Sequence, residues 1–525
     1  MTENKIINYV KEKYAVLDKK WTLLAFVLLI TPLISALIIS AESGTSIFRY
    51  DAWNTTWSDE TSYNITIREI REYLTPQNVR SYNEVEPEKL GYGVYRPTTY
   101  LPYVFASFFT GITSHNYIAY CNLLLIALSN LVFLWVVRPT KKQLMWLIMV
   151  LSIFLPYHRY VWSGMTEASH VAMNIIVSSC GLYLFSEKEK KPLTEKIVFA
   201  VSVILPLFYG TIRGYQFIFL LLPFVYVFRR TKGKRRIMYS SLILAALLIC
   251  LYLYMSVLCK YCSPYYVIES RVGSTSQLRI YLKNLSHGRL DLIIKDVILK
   301  NLQTVKEFGL MIKYRSWHWV PIAEVAALFG LLLYTGKKDK SEKRVLAYTY
   351  CVMMALIVES IIMMNKIDHS YRYFLGIWVA GYYILICLQG KEKLLSVKTA
   401  LLFACMCMAV FWCGHKFAFP QVSEPGYDDK SLSRTFSEIL PRDESDPWNN
   451  TIAGHEGNRY LRHLFPSYIA TSSCEKHVLK QLISSDTVKS KYVSIGDDNE
   501  ELIELCDGKY DLLYHDYGMR IYKVR

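Results

Sequence analysis

No internal repeat runs through these 525 residues, no low-complexity tract interrupts them, and the Cys259-x-x-Cys262 spacing has no second pair to complete a tetrahedral metal site. Those absences exclude a repeat architecture, a low-complexity chain and a structural zinc module. A basic face or tail is missing too. The formal net charge is +16, yet the Lys and Arg residues fall in short loops between alternate apolar runs. Membrane topology accounts for that distribution, and nucleic acid is excluded as a partner. Few of the 12 cysteines lie outside apolar runs, where thiols act as small hydrophobes. Cys259, Cys262, Cys474 and Cys506 are the exceptions, which leaves Cys474 with Cys506 as a candidate disulfide.

What is present is apolar length. The chain is 52% hydrophobic with a mean hydropathy of +0.19. Stretches such as Trp21 to Ser40, Tyr117 to Val137 and Val345 to Met364 reach the roughly 20 residues needed to cross a hydrocarbon core of about 30 Å. Small residues at Ser40 and Ala41 resemble a processing site, but a charged leader and a full-length apolar run favour a retained first helix. Runs and basic hinges together predict about 11 transmembrane helices, over 21–40, 117–137, 143–157, 166–186, 196–211, 214–228, 237–258, 317–335, 345–364, 371–389 and 399–416. The pair over 196–228 reads as a hairpin, with a re-entrant break at Tyr209 to Gly214 as the alternative. With a cytoplasmic N-terminus, every short basic loop falls on the cytoplasmic side of a multi-pass plasma-membrane protein. The expected fold is an all-α polytopic membrane protein, residues 1–416, followed by a small extracytoplasmic α/β appendage over 417–525. That appendage alternates strand-like runs (491–495, 510–514, 519–524) with helix-like ones (475–483, 499–505).

Two further outer segments, 41–116 and 259–316, are too long to be hinges. The first carries a helical pattern from Thr61 to Leu74 and a Tyr- and Phe-rich stretch from Pro97 to Phe109. The second carries an amphipathic pattern from Leu290 to Leu302, suited to the membrane surface or to packing over the bundle. Within the first lies Trp57-Ser58-Asp59-Glu60-Thr61-Ser62-Tyr63. A carboxylate fixed beside a membrane can take a proton from an attacking hydroxyl or amine, and inverting sugar transfer needs such a base opposite the leaving group. A solvated acidic loop is the plain alternative.

That loop, directly after the first transmembrane helix, carries Asp59-Glu60, then Tyr63, an amphipathic helix and Arg96-Pro97-Thr98-Thr99-Tyr100-Leu101-Pro102-Tyr103. It resembles the GT-C superfamily, which includes the protein O-mannosyltransferases and the lipid A aminoarabinose transferases that use polyprenyl-phosphate sugars. The resemblance implies a glycosyltransferase that moves a sugar, with inversion, from a polyprenyl-phosphate donor in the membrane lipid to a glycan, lipid or protein acceptor. It gives Asp59 the role of base and Glu60 that of supporting carboxylate. No cofactor is required by it, and related enzymes that use a metal leave room for Mg or Mn at Asp51 and Asp59.

A departing phosphate needs fixed positive charge, best supplied by guanidinium. Arg372, Arg96, Arg159, Arg213 and Arg271 stand at expected outer helix ends, with Arg372 favoured within Asp368-His369-Ser370-Tyr371-Arg372-Tyr373. Snorkelling anchors are the competing reading of such residues. Glu167 and His170 share one helix face, and Tyr157-His158-Arg159 precedes them. With Tyr63, Tyr100, His369 and Tyr373 these are the candidate cavity residues. A helix-terminal Glu that complements the dipole is the alternative for Glu167. Two other functions stay open: a transporter or flippase of lipid-linked glycans, which Glu359 inside an apolar run would suit, and a polymerase or ligase centred on outer arginines.

Overall fold

The computed structural model describes residues 19–43, 63, 67, 70–71, 84, 101–110, 116–187, 189–253, 280–281, 283–313, 319–338, 341–364, 371–388, 429–443, 445–455, 464–466 and 468–525. Its helical part comprises α1 (Lys19–Ser43), α2 (Leu101–Thr110), α3 (Asn116–Val137), α4 (Lys141–Ile153), α5 (Leu155–Val161), α6 (Glu167–Leu184), α7 (Pro192–Ile212), α8 (Leu221–Arg230), α9 (Gly233–Leu253), α10 (Leu290–Lys313), α11 (Trp319–Lys338), α12 (Glu342–Met364) and α13 (Tyr371–Leu388). Among the described residues, five helices are long and apolar enough to cross a membrane: α1, α3, α7, α9 and α12. Their outward faces carry large apolar side chains, including Phe26, Leu33, Leu128, Trp135, Leu248 and Ile249. Such a surface belongs against lipid, and the chain is a membrane protein. The expected helix over 399–416 lies outside the described residues, so the expected total of 11 spans is not established.

Two helices sit inside this shell. Helix α6 is buried at almost every position, polar ones included. It packs on α3, α7 and α13, while α13 also packs on α11, α12 and α4. Small residues make the approach close. A Cβ at Gly376 of α13 would collide with the side-chain amide of Asn174, and one at Gly381 would come within 2.6 Å of Leu328 Cδ2. Without side chains there, helix backbones approach until van der Waals packing holds them, the only apolar force lipid leaves between helices.

Polar side chains fix the ends. Thr140 and Gln143 form a reciprocal capping box on α4, and the Gln143 amide also donates to the carbonyls of Ile386 and Cys387 at the end of α13. Trp21 Nε1 donates to Pro139 O at 2.8 Å. At the same end, Arg229 pairs with Glu342 at 2.9 Å. The hinges bearing Arg138, Lys141, Lys142, Arg229, Arg230, Arg235, Arg236, Lys337 and Lys343 therefore gather at one end of the bundle. Helix α7 turns back at Arg213 through a 3-10 segment, Gly214–Leu220, into α8. The hairpin reading of 196–228 is the one observed.

The C-terminal part is a five-stranded sheet of β1 (Thr451–His455), β2 (Ala470–Cys474), β3 (Tyr492–Gly496), β4 (Asp511–Asp516) and β5 (Met519–Lys523), ordered β2-β1-β3-β5-β4. Strands β2, β1 and β3 run parallel, and β5 is antiparallel to β3 and β4. Helix α14 (Asp429–Ile439) covers one face through Leu432 and Phe436, while α15 (Lys476–Ser484) and α16 (Glu500–Asp507) cover the other. The β4–β5 hairpin turns at Tyr517 and Gly518, with φ of 48° and 71°, the left-handed pair that matches strand twist.

The sequence reading placed β3, β4, β5, α15 and α16 within a residue or two, and missed α14, β1 and β2. The candidate Cys474–Cys506 disulfide is not formed. Both side chains are unoxidised thiols buried in the apolar cluster beneath α15 and α16. Burial pushes the Cys506 thiol up to about 12, so it stays protonated at neutral pH and is a poor nucleophile. Alkylation followed by mass spectrometry should label Cys474 and Cys506 only after denaturation, without prior reduction. Labelling that requires a reductant would show a disulfide after all. A Gly376→Val substitution should cost about 1–3 kcal/mol through overpacking, read as a lowered Tm in detergent.

Candidate active site

At the end of the bundle opposite the basic hinges, α6 begins, α7 ends and α13 begins. Each contributes one charged side chain to a single cluster. Glu167 opens α6 and is 1% exposed. Its Oε1 accepts from Arg213 Nη2 at 2.8 Å, and Arg372 Nε lies 3.9 Å from the same oxygen. Arg213 caps α7 in an extended conformation, φ −138° and ψ 110°, which turns its side chain out of the helix and across to α6. Arg372 sits in the first turn of α13.

Aromatic rings surround the two cations. The Arg213 and Arg372 guanidinium carbons lie 4.8 and 5.0 Å from the ring centroid of Tyr373. Arg372 Nη2 donates to Tyr373 Oη at 3.1 Å, and Arg213 Nη1 donates to Tyr215 Oη at 3.3 Å. Tyr63, buried with Ile67 and Ile70, lies within electrostatic range of Arg213. Two guanidiniums against one carboxylate leave a net positive charge, partly exposed through Arg213 and Arg372 at 12% and 21%. The second Glu167 oxygen, Oε2, has no hydrogen-bond partner among the described residues. The carboxylate orients the forks, and the remaining N–H donors suit an oxyanion such as phosphate.

Below the cluster the polar lining continues. His170, one turn along α6, meets Tyr209 edge-on with centroids 5.5 Å apart. The amide oxygens of Asn174 and Gln216 are buried without a partner among the described residues. Tyr103 of α2 donates to Asn122 Oδ1 at 2.8 Å, and the Asn122 amide donates to Ser163 O and Met165 O at 3.0 and 2.9 Å. These bonds fasten the aromatic segment to the turn leading into Glu167.

Of the residues singled out by sequence, Glu167, Arg213, Arg372, Tyr373 and Tyr63 are brought together, with His170 adjacent. Two have other surroundings. His158 is fully buried, with Nδ1 2.7 Å from Ser35 Oγ of α1 and Nε2 3.0 Å from Ser152 O. Both ring nitrogens are spent joining helices, so His158 corrects from cavity wall to structural tie. Tyr157 is buried beside it in the apolar core, its hydroxyl without a partner among the described residues. Asp51, Asp59, Glu60, Arg96, Tyr100, Arg271 and His369 lie outside the described residues, as does the side chain of Arg159. Among the described residues no cluster of His, Cys, Asp and Glu could hold a metal ion.

Glu359 is also not the buried intramembrane acid it looked. It is half-buried, five positions before the end of α12, and accepts from Asn301 Nδ2 of α10 at 2.9 Å. Within the helical bundle, sequence reasoning missed the enclosed acid Glu324 of α11, 2% exposed, whose Oε1 accepts from Tyr382 Oη at 2.8 Å, itself bonded by Trp378 Nε1 at 2.8 Å. Tyr215 was missed as well.

No family model matches the chain, and no curated protein matches it in sequence. Solved structures do. The Archaeoglobus fulgidus oligosaccharyltransferase, tethered to an acceptor peptide containing the NVT sequon via a disulfide bond, aligns with 13% identity and a TM-score of 0.49 over 97% of this chain and 74% of its own. ArnT from Cupriavidus metallidurans, bound to undecaprenyl phosphate, aligns with 10% identity and a TM-score of 0.50 over 96% of this chain and 97% of its own. The apo state of that ArnT gives a TM-score of 0.40. Both proteins are GT-C superfamily membrane glycosyltransferases. The chain shares the fold of the undecaprenyl-phosphate-bound ArnT over nearly its whole length.

Removing the carboxylate should leave two buried cations facing each other. Glu167→Ala is expected to destabilise the bundle by about 3–5 kcal/mol, the range for breaking a buried pair. The Tm of purified protein in detergent checks this, and an unchanged Tm would show the ion cluster to be energetically idle.

Proposed function

We propose that this protein is a GT-C glycosyltransferase that moves a sugar from a polyprenyl-phosphate donor to an extracytoplasmic acceptor. The single observation that carries the reading is the convergence of Arg213 and Arg372 on Glu167 at one end of a membrane bundle. A sugar phosphodiester held in lipid presents one anionic phosphate at the headgroup level. Paired guanidiniums recognise that anion and stabilise the phosphate as it leaves. The ligand of ArnT, undecaprenyl phosphate, is a polyprenyl phosphate, the group such a donor releases.

The basic hinges at the opposite end support one orientation. By the preference of Lys and Arg for the cytoplasmic side, the Glu167 end faces outward and the N-terminus of α1 lies inside. The polar face of α6 below the arginines and the rings of Tyr63, Tyr215 and Tyr373 suit a sugar, whose hydroxyls need partners and whose apolar faces stack on aromatics.

The base is assigned to Asp59, with Glu60 supporting it. That assignment comes from the loop's resemblance to GT-C enzymes, and it is supported by Tyr63, four positions later, which is buried within electrostatic range of Arg213. In the reaction the Asp59 carboxylate accepts the proton of the acceptor hydroxyl or amine, whose heteroatom attacks the anomeric carbon. The bond from that carbon to the phosphate oxygen breaks with inversion, and Arg213 and Arg372 hold the phosphate released. The reading differs from vectorial transport in needing no second compartment. It also differs from a ligase resting on arginines alone in needing Asp59.

Purified protein in detergent, given a radiolabelled polyprenyl-phosphate sugar and a membrane-extract acceptor pool, should form labelled product. Arg213→Ala and Arg372→Ala should each lower transfer about 100-fold or more. Asp59→Asn should lower kcat about 100-fold or more, with the donor KM little changed. Undiminished transfer by Asp59→Asn removes the base assignment. Undiminished transfer by both arginine variants removes the phosphate site.

A further inference from the structure

Glu84 belongs to the same long segment as Asp59 and Tyr63, yet it is only 1% exposed and is held by residues 388 to 406 positions later. Its backbone N–H donates to Ser472 Oγ at 3.3 Å. Its Oε1 accepts from the backbone N–H groups of Lys489 and of Ser490, the latter at 3.1 Å. Its Oε2 accepts from the Ser490 hydroxyl. Ser472 lies in β2, and Lys489 and Ser490 lead into β3.

This is a built socket for a carboxylate. Burying an unsatisfied charge is costly, and here both oxygens are met by three donors, two of them fixed by backbone geometry. Hydrogen bonds to an ionised group are the stronger kind, and enclosure spares these from competition with water. A contact meant only to cover apolar surface on the sheet would need no charge at its centre.

The other end of the segment is fixed as firmly. Tyr63, Ile67 and Ile70 are buried in the bundle's core cluster, and the Arg71 guanidinium lies 5.5 Å from the Phe108 ring centroid of α2. Tyr63 is within electrostatic range of Arg213. From residue 71 to residue 84 the chain can span about 45 Å at most. One segment is therefore pinned at two places, first against the arginine cluster and then in the C-terminal sheet.

We propose that Glu84 is a positioning residue: seated in the Ser472, Lys489 and Ser490 socket, it locks the segment bearing Asp59 and Tyr63 against the C-terminal sheet and so sets the catalytic geometry at Arg213 and Arg372. The inference rests on the glycosyltransferase reading above. It gives the sheet, which contributes no residue to the ion cluster, a part in the rate of transfer.

The test uses full-length protein carrying Glu84→Ala, Glu84→Gln or Ser490→Ala, with two independent measurements. Amide hydrogen exchange needs no activity. Glu84→Ala should speed exchange about tenfold or more at Lys489 and Ser490 and also raise it around Tyr63, Ile67 and Ile70. Faster exchange at Lys489 and Ser490 with no change around Tyr63 would overturn the proposal, since the contact would then be a local tie. No change at either place would overturn it too.

Transfer kinetics form the second measurement. Glu84→Ala should lower kcat about tenfold or more while the donor KM stays within about twofold, because the phosphate-holding arginines are untouched. Glu84→Gln, which keeps one acceptor oxygen, and Ser490→Ala, which removes one donor, should fall between. Unchanged kcat in Glu84→Ala overturns the positioning role. A wild-type protein that transfers no sugar from any polyprenyl-phosphate donor would instead defeat the proposed function, and the exchange measurement would still decide the tether.

Discussion

A carboxylate enclosed by protein at the head of a buried helix cannot stay ionised without cations beside it, and that requirement organises this molecule. Glu167 can be as buried as it is only because Arg213 and Arg372 reach it from α7 and α13. Satisfying one charge joins three segments distant in sequence. The same arrangement holds two guanidiniums closer together than their repulsion would otherwise allow. The residual positive charge is then a property of the fold, since three helix ends must meet for it to exist. Stability and anion recognition share these atoms.

Much of the architecture was legible because lipid imposes a strict length and polarity code. Apolar runs bounded by Lys and Arg located α1, α3, α7, α9 and α12 closely. Glu167, Arg213 and Arg372 were legible one at a time, as charges at helix ends. Their meeting was not, because periodicity says which face of a helix is polar and nothing about which helix it faces. Tyr215 was hidden by the abundance of Tyr, 41 residues, most of them explicable as interfacial. Glu324 and Glu359 look alike in sequence, each a single acid in an apolar run. Tertiary neighbours separate them: Tyr382 of α13 encloses the first, while α10 meets the second near a helix end.

The misses in the C-terminal sheet have a different origin. Strands β1 and β2, Thr451–His455 and Ala470–Cys474, are no shorter than β3 and β5, but small residues occupy places where branched or aromatic ones would signal a strand. Parallel strands covered on both faces also lose the alternation that marks an exposed sheet. Helix α14 was hidden in a polar stretch that reads as a linker, its apolar stripe confined to Leu432, Phe436 and Ile439. His158 shows the converse error. An ionisable side chain at membrane depth attracts a functional reading, yet its two nitrogens serve Ser35 and Ser152.

The enclosure of α6 has a consequence for biogenesis. With Glu167, His170, Asn174 and several serines in 18 residues, it is not among the helices apolar enough to enter a bilayer by themselves. Polar residues at helix centres oppose insertion, so α6 has to leave the translocation machinery in company, with α3 already beside it and α7 following. Its last wall, α13, is synthesised some two hundred residues later. The newborn chain must therefore shelter this polar helix while more than a third of its length is still being added, which makes the unfinished bundle a natural client for membrane chaperones.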